Sequence, residues 1–411
     1  MNVDFSTRLP WSTGTNQLWA ARAELLTEHV EVLDLCESNP TRVGLEPPPV
    51  VAREVFATPE SVHYEPNPHG LSEARLALAE LYQRRAAPSR LLPPTLDVDD
   101  LFLCASTSEA YAWLFKLLCD PGDAVLVPKP GYPLFEHLAG LEAVVPRPYR
   151  LEYSHPDGWR IDLASVEEAL CDGRARALVL INPNNPTGSY VREAEREHLV
   201  AMCAHHGCAL IVDEVFYDYP LEIDCSDEAV ARSSFIAEER ALCFVLDGLS
   251  KRLCLPQMKL AWIAVSGPRR ARREARRRLE IIADAYLSTG TPIMHALPHL
   301  LAAAEQLSGP CWRRIAANLE RLRHILESPS SPHRVRRCDG GWTAIVESPR
   351  LLDEEHIALG LLREKRLWVQ PGYFYDMEED GCFAVSLIVR SADLERGARA
   401  YASYFARLCG E

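Results

Sequence analysis

Ala177-Leu178-Val179-Leu180-Ile181 runs without a polar residue into Asn182-Pro183-Asn184-Asn185-Pro186-Thr187-Gly188. Five apolar residues with no alternation predict a strand covered on both faces, as in a parallel sheet flanked by helices. The tail, with two prolines and a glycine, fixes a turn at the strand end, where an asparagine side chain can point inward. The same pattern recurs on both sides. Leu101-Phe102-Leu103-Cys104, Ala124-Val125-Leu126-Val127, Cys208-Ala209-Leu210-Ile211-Val212, Leu242-Cys243-Phe244-Val245-Leu246 and Leu260 to Val265 read as further strands. Between them Glu109 to Leu118, Leu134 to Leu141 and Glu193 to His205 have helical spacing. Strands alternating with helices specify an α/β fold.

Ligands of open α/β sheets sit beyond the C-terminal strand ends, and the polar residues concentrate there. Ser106-Thr107-Ser108 closes one strand and opens a helix, so hydroxyls and free N–H groups converge where the helix dipole favours an anion. Equally, such residues serve as plain caps. Pro130-Gly131-Tyr132-Pro133 presents an aromatic ring from a rigid turn. Asp213 ends a buried strand and needs a cationic partner, either an arginine or a protonated ring nitrogen. Val245-Leu246-Asp247-Gly248-Leu249-Ser250-Lys251 delivers an amine from another strand, and Lys259 follows eight residues later. Only five of the 44 lysines and arginines are lysines: Lys116, Lys129, Lys251, Lys259 and Lys365. A guanidinium cannot release its proton near neutrality, whereas a lysine amine beside apolar residues can, as Schiff-base chemistry requires.

The remaining sequence limits the partners. With 411 residues, 47% apolar composition, net charge −14 and a pI near 5.5, the chain reads as a two-lobed acidic globular protein. That balance argues against nucleic acid or an anionic membrane as partner. The basic run from Pro268 to Arg278 continues into apolar Leu279, Ile281 and Ile282, so it reads as a solvated helix face. Thirteen cysteines show no metal-binding spacing. With neither a leader-like N-terminus nor a long apolar run, this predicts a cytoplasmic location. Near the N-terminus Trp19 to Leu33 has helical spacing. Toward the C-terminus, helices are expected over Cys311 to Leu326, Asp353 to Glu364 and Ala392 to Leu408, strands near Thr343 and Phe383, and a Pro/Ser linker at 328–332.

Taken together and in this order, Ser106-Thr107-Ser108, Pro130-Gly131-Tyr132-Pro133, Asn185-Pro186-Thr187-Gly188, Asp213-Glu214-Val215 and Ser250-Lys251 with Lys259 resemble the class I/II, fold-type I aminotransferases. The resemblance covers about Leu33 to Arg390. It implies pyridoxal 5'-phosphate as cofactor and a large domain with a mostly parallel seven-stranded sheet between helices, plus a smaller α+β domain. Residues 1–50 would join the small domain, 51–290 form the large one, and 291–411 complete the small one. Lys251 is similar to the lysine that binds the cofactor covalently and carries the proton, and Asp213 to the partner of the ring nitrogen. Asn185 is similar to the residue at the ring oxygen O3′, and Tyr132 to the aromatic stacked on the ring. Thr107, Ser108 and Lys259 match phosphate-binding positions. Tyr64 resembles the tyrosine that reaches the neighbouring subunit's phosphate, which implies a homodimer with shared sites. The implied activity is ping-pong transfer of an amino group from an amino acid or amine donor to an oxo-acid acceptor. Elimination or decarboxylation on the same scaffold is the alternative, and a non-catalytic binding module a third reading.

Four positions depart from the family pattern. Phe216 stands where a tyrosine donates to O3′, Lys259 where an arginine holds phosphate, and Gly248 where a serine is common. Ala384 stands where an arginine takes the substrate α-carboxylate, and Arg390, four residues beyond Ser386, reads as a surface residue.

Overall fold

The computed structural model describes residues 6–9, 16–49, 59–64, 66–86, 96–222, 234–236, 238–329 and 331–410. The expected boundary at 50–51, Glu65 beside Tyr64, and part of the 328–332 linker lie outside the described residues.

The chain begins with the helix Gln17–Thr27, whose first turn is capped by Asn16 Oδ1 accepting from Leu18 N at 2.8 Å. It stops short of the expected Leu33 because His29 adopts φ 58° and the Val30 N–H folds back to Leu25 O. The two-residue strand β1, Leu33–Asp34, follows. Next come the helix Ser72–Ala86, β2 Leu101–Cys104, the helix Thr107–Leu118, β3 Ala124–Lys129, the helix Phe135–Leu141, β4 Val145–Ser154 and β5 Gly158–Ile161. The helix Leu163–Cys171, β6 Ala175–Ile181, the helix Glu193–His206, β7 Ala209–Asp213, β8 Cys243–Gly248, the turn of helix Leu249–Arg252, β9 Ala261–Ser266 and the helix Arg269–Tyr286 continue the large lobe.

Among the described residues, eight strands form one sheet in the order β2-β9-β8-β7-β6-β3-β4-β5. Strands β8, β7, β6, β3 and β4 run parallel to one another, β9 is antiparallel to both β2 and β8, and β5 is antiparallel to β4. The eighth strand beyond the expected seven lies in the β4–β5 hairpin, whose alternating exposure and two prolines conceal it in the sequence. The apolar runs have a direct cause. Leu178, Leu180, Leu210 and Val212 pack into the core on one face, whereas Ala177, Val179, Ala209 and Ile211 pack on the other. Each strand therefore buries both of its faces.

The helices Thr291–Ala302 and Ala304–Leu326 lead to β10 Arg334–Val335, β11 Thr343–Glu347, the helix Glu354–Lys365, β12 Leu367–Trp368, β13 Gln370–Pro371, β14 Cys382–Ser386 and the helix Ser391–Cys409. Strands β10-β11-β14-β13 make a second, antiparallel sheet. Its core also takes in Leu18, Leu25, Leu35 and Val43, and β1 pairs with β12, so the N-terminal segment packs with this lobe. Ile293, Met294, Leu297, Leu300 and Leu301 pack instead with the large-lobe core, so apolar packing carries that lobe past residue 290. The basic helix Arg269–Tyr286 turns Ala275, Leu279 and Ala283 inward. Arg272 and Arg276 reach buried Asp100, while on the exposed face Arg277 and Arg278 pair with Glu274.

Candidate active site

Strands β6, β7 and β8 end side by side, and their termini open on a cavity of about 760 Å³ between the lobes. Asp213, Asn185, Tyr132, Thr107, Ser108, Lys251 and Lys259 all line it. These groups come from five separate chain segments, brought together by the parallel sheet.

Asp213 is buried at the last position of β7. Its Oδ1 accepts from Val215 N at 3.1 Å and its Oδ2 from the Tyr111 hydroxyl at 3.2 Å. Among the described residues no cation forms an ion pair with it. Burial, with Asp247 adding like charge, raises its pKa to about 7. A carboxylate so placed is ready to accept a cationic N–H.

Lys251 lies on the turn of helix after β8. Its Nζ sits 4.9 Å from the Trp342 ring centroid and 5.8 Å from that of Phe216. Burial lowers its pKa, while Cys254 and Asp213 oppose the shift. The turn is held from two sides. Arg252 donates from Nε to buried Asp247 at 2.8 Å, and the Tyr219 hydroxyl donates to Lys251 O at 2.7 Å. The amine is thus both more easily deprotonated and fixed in place.

The opposite wall is made for an anion. Ser106 caps the helix Thr107–Leu118 by accepting from Glu109 N at 3.1 Å, while Glu109 Oε2 accepts from Ala105 N at 2.6 Å. This leaves the Thr107 and Ser108 N–H groups and hydroxyls at the open helix end, with Ser250 and exposed Lys259 beside them on the cavity wall. Tyr132, packed edge-on against Phe135 at 5.9 Å, supplies an aromatic wall. Asn185 presents its carboxamide, whose Oδ1 accepts from Thr343 Oγ1 at 3.4 Å.

The departures have local reasons. Phe216 packs edge-on against Trp342 at 5.5 Å beneath the lysine. Tyr217 is turned away, its ring edge-on to Tyr190 and its carbonyl accepting the Tyr190 hydroxyl at 2.7 Å. A Cβ at Gly248 would come within 2.9 Å of the Ala261 Cβ, so a serine there requires β9 to shift. Arg390 is 68% exposed and donates to Asp393 at 2.7 Å, outside the cavity. Tyr64 is 69% exposed and does not line the cavity of its own chain. Sequence reasoning assigned no site role to Tyr111, Thr343 and Tyr375, and marked Gly340-Gly341-Trp342 and Val369-Gln370-Pro371-Gly372 only as family signatures; Tyr111, Trp342, Thr343, Gln370 and Tyr375 all line the site.

Residues 30–400 match the family model for aminotransferase class I and II. The chain belongs to this family. An alanine aminotransferase of Mycobacterium tuberculosis strain H37Rv is 30% identical over 405 residues, spanning 90% of each chain. A glutamate-pyruvate aminotransferase of Escherichia coli K12 is 27% identical over 278 residues, 68% of this chain and 65% of that one. In fold, the aminotransferase matches an Escherichia coli aminotransferase with TM-score 0.83 at 23% identity, covering 100% of this chain and 99% of the other. It also matches an alanine aminotransferase of Pyrococcus furiosus with TM-score 0.84 at 21% identity, covering 98% and 100%. Its cofactor is pyridoxal phosphate and its reaction is transamination, in preference to elimination or decarboxylation. The cavity suits that cofactor, with a buried carboxylate awaiting a ring N–H, an aromatic wall, a lowered lysine and an anion-binding helix end. No helix among the described residues is long and apolar enough to cross a membrane.

Proposed function

We propose that this aminotransferase works through Lys251 as the covalent anchor and proton carrier, with Asp213 holding the ring nitrogen of the cofactor. When bound, pyridoxal phosphate supplies an aldehyde that takes up the amino group and a ring that withdraws electrons from the neighbouring carbon. The observation that carries the assignment is that Lys251 and Asp213 line one cavity, the amine lowered and the carboxyl raised by burial. In these roles Asp213 is ionised by its new cationic partner. Lys251 Nζ, freed of its proton, takes the one at the donor's Cα. Asn185 would donate from its Nδ2 to the ring oxygen, Tyr132 would cover the ring, and Thr107, Ser108 and Lys259 would hold the phosphate. Phe216 would offer the ring oxygen no phenolic donor.

The functional unit in this reading is a cytoplasmic homodimer in which the exposed Tyr64 reaches the neighbouring subunit's phosphate. The described cysteines are free, which suits a reducing compartment. The test is borohydride reduction of the cofactor-loaded enzyme followed by peptide mapping. A pyridoxyl group on Lys251 is expected, and the unreduced enzyme is expected to convert an amino donor to an equimolar amount of its carbonyl product. Modification of another lysine, or release of free ammonia or carbon dioxide instead, overturns the assignment.

A further inference from the structure

One wall of the cavity is left over once the cofactor-holding groups are assigned, and the small lobe makes it. Ala384 lies at the centre of β14, paired with Ile345 and Gln370 across the sheet. Tyr375 and Met377 pack against the small cluster it forms with Ile345 and Cys382. The Tyr375 hydroxyl donates to Gln370 Oε1 at 2.5 Å. Cys36 Sγ lies 3.7 Å from Ala384 O and 3.8 Å from Trp368 O. Ser386 donates its hydroxyl to Glu37 O at 2.7 Å. Cys36, Gln370, Tyr375, Ala384 and Ser386 all line the cavity. Burial pushes the Cys36 thiol and the Tyr375 phenol up, so the whole wall is uncharged at neutral pH.

The cations are accounted for elsewhere. Among the described residues lining the cavity, Lys251 and Lys259 are the only ones. Arg22, which stacks on Trp368 at 4.5 Å, is paired with Asp34 at 2.5 Å. A substrate carboxylate placed against Ala384 would lose its hydration with no charge to compensate, a cost of several kcal/mol per ion. A carboxamide, hydroxyl or alkyl group at that point meets thiol, phenol and carboxamide partners and bears no such cost.

We propose that the Cys36–Gln370–Tyr375 wall beside Ala384 selects amino donors in which the reacting carbon carries an uncharged group instead of a free carboxylate: primary amines, amino alcohols and amino-acid amides. This rests on the transamination reading above and names its donor class. Tyr375 and Gln370 are then specificity-determining residues.

The test uses the cofactor-loaded enzyme and follows, spectroscopically and in single turnover, the conversion of its pyridoxal form to the pyridoxamine form. Alanine, glutamate and tyrosine are each compared with their own amide and alcohol. The uncharged donors are expected to react at least about tenfold faster at equal low concentration. Tyr375→Phe is expected to narrow that preference severalfold, and Ala384→Arg to reverse it without changing the amount of bound cofactor. Wild-type enzyme in which each free amino acid outruns its amide and alcohol overturns the proposal while leaving transamination standing, including the case where a neighbouring subunit supplies a cation. If no donor reacts and borohydride leaves Lys251 unmodified, both readings fall.

Discussion

Asp213 and Lys251 show how one environment tunes two groups in opposite directions. Burial disfavours the charged form of each, raising the carboxyl and lowering the amine. In the cofactor-free protein this links stability to pH. The folded Asp213 carboxyl holds its proton up to about pH 7, whereas an unfolded one releases it at its ordinary value of 3.8. Between those values the folded state binds more protons, so stability falls as pH rises through the window. The thermal midpoint of cofactor-free wild type is expected to drop more steeply from pH 4 to 7.5 than that of Asp213→Asn, in which the group is absent. Glu195, also raised to about 7 by burial, is common to both proteins and cancels in the comparison. With cofactor bound, Asp213→Asn is expected to lower turnover by about 10²-fold or more, since a preorganised charge is removed. Near wild-type kcat would refute the pairing. Asp213, Asn185 and Lys251 were legible because each stands where an apolar run stops, and lysine is scarce. Tyr111 was not: it sits mid-helix and meets Asp213 from 102 residues away, with nothing local to mark it.

The elements that carry these residues were legible to the same degree that they bury both faces. Strands β6, β7 and β8 carry apolar runs of four or five residues, 177–181, 209–212 and 243–246, and could be read directly. Strand β4, exposed at alternate positions and broken by Pro146 and Pro148, could not. The turns after the strands obey tighter steric rules than the strands themselves. A Cβ on Gly131 would lie 2.2 Å from Pro128 O, a clash no rotamer relieves, and Gly131 N donates to Tyr375 O at 3.1 Å across the lobes. Gly131→Ala is therefore expected to cost about 1–3 kcal/mol of stability and to weaken cofactor binding, because it displaces the turn bearing Tyr132. Urea unfolding and cofactor titration measure the two effects, and an unchanged pair would show that the turn moves freely. At the helix end, Ser106→Ala removes a cap worth about 1 kcal/mol. It is expected to lower the denaturation midpoint and cofactor affinity together, since the same turn offers the Thr107 and Ser108 donors.

At the scale of the whole molecule, the two lobes are separate cores facing one cavity, and the N-terminal segment crosses to the small lobe through β1 and β12. The sequence marks the strand ends of the large lobe and, at Ala384, one point of the small-lobe wall, whereas Tyr375 acquires its meaning only from what the other lobe places opposite it. Tyr64 extends this argument beyond one chain. It is exposed at 69% and absent from its own cavity, yet its motif resembles one that serves a phosphate site. If it acts across a dimer, two defective subunits can complement. A dimer pairing Lys251→Ala with Tyr64→Ala carries one site that is defective twice and one that is intact, because the intact Lys251 belongs to one chain and the intact Tyr64 to the other. With random pairing, half the dimers are mixed, and activity per subunit is expected to rise toward about a quarter of wild type above the Lys251→Ala background at limiting cofactor. If Tyr64 served its own chain, no mixed dimer would contain an intact site, and the mixture would show only the average of its parents. Refolding the two variants together and assaying at limiting pyridoxal phosphate separates the two arrangements.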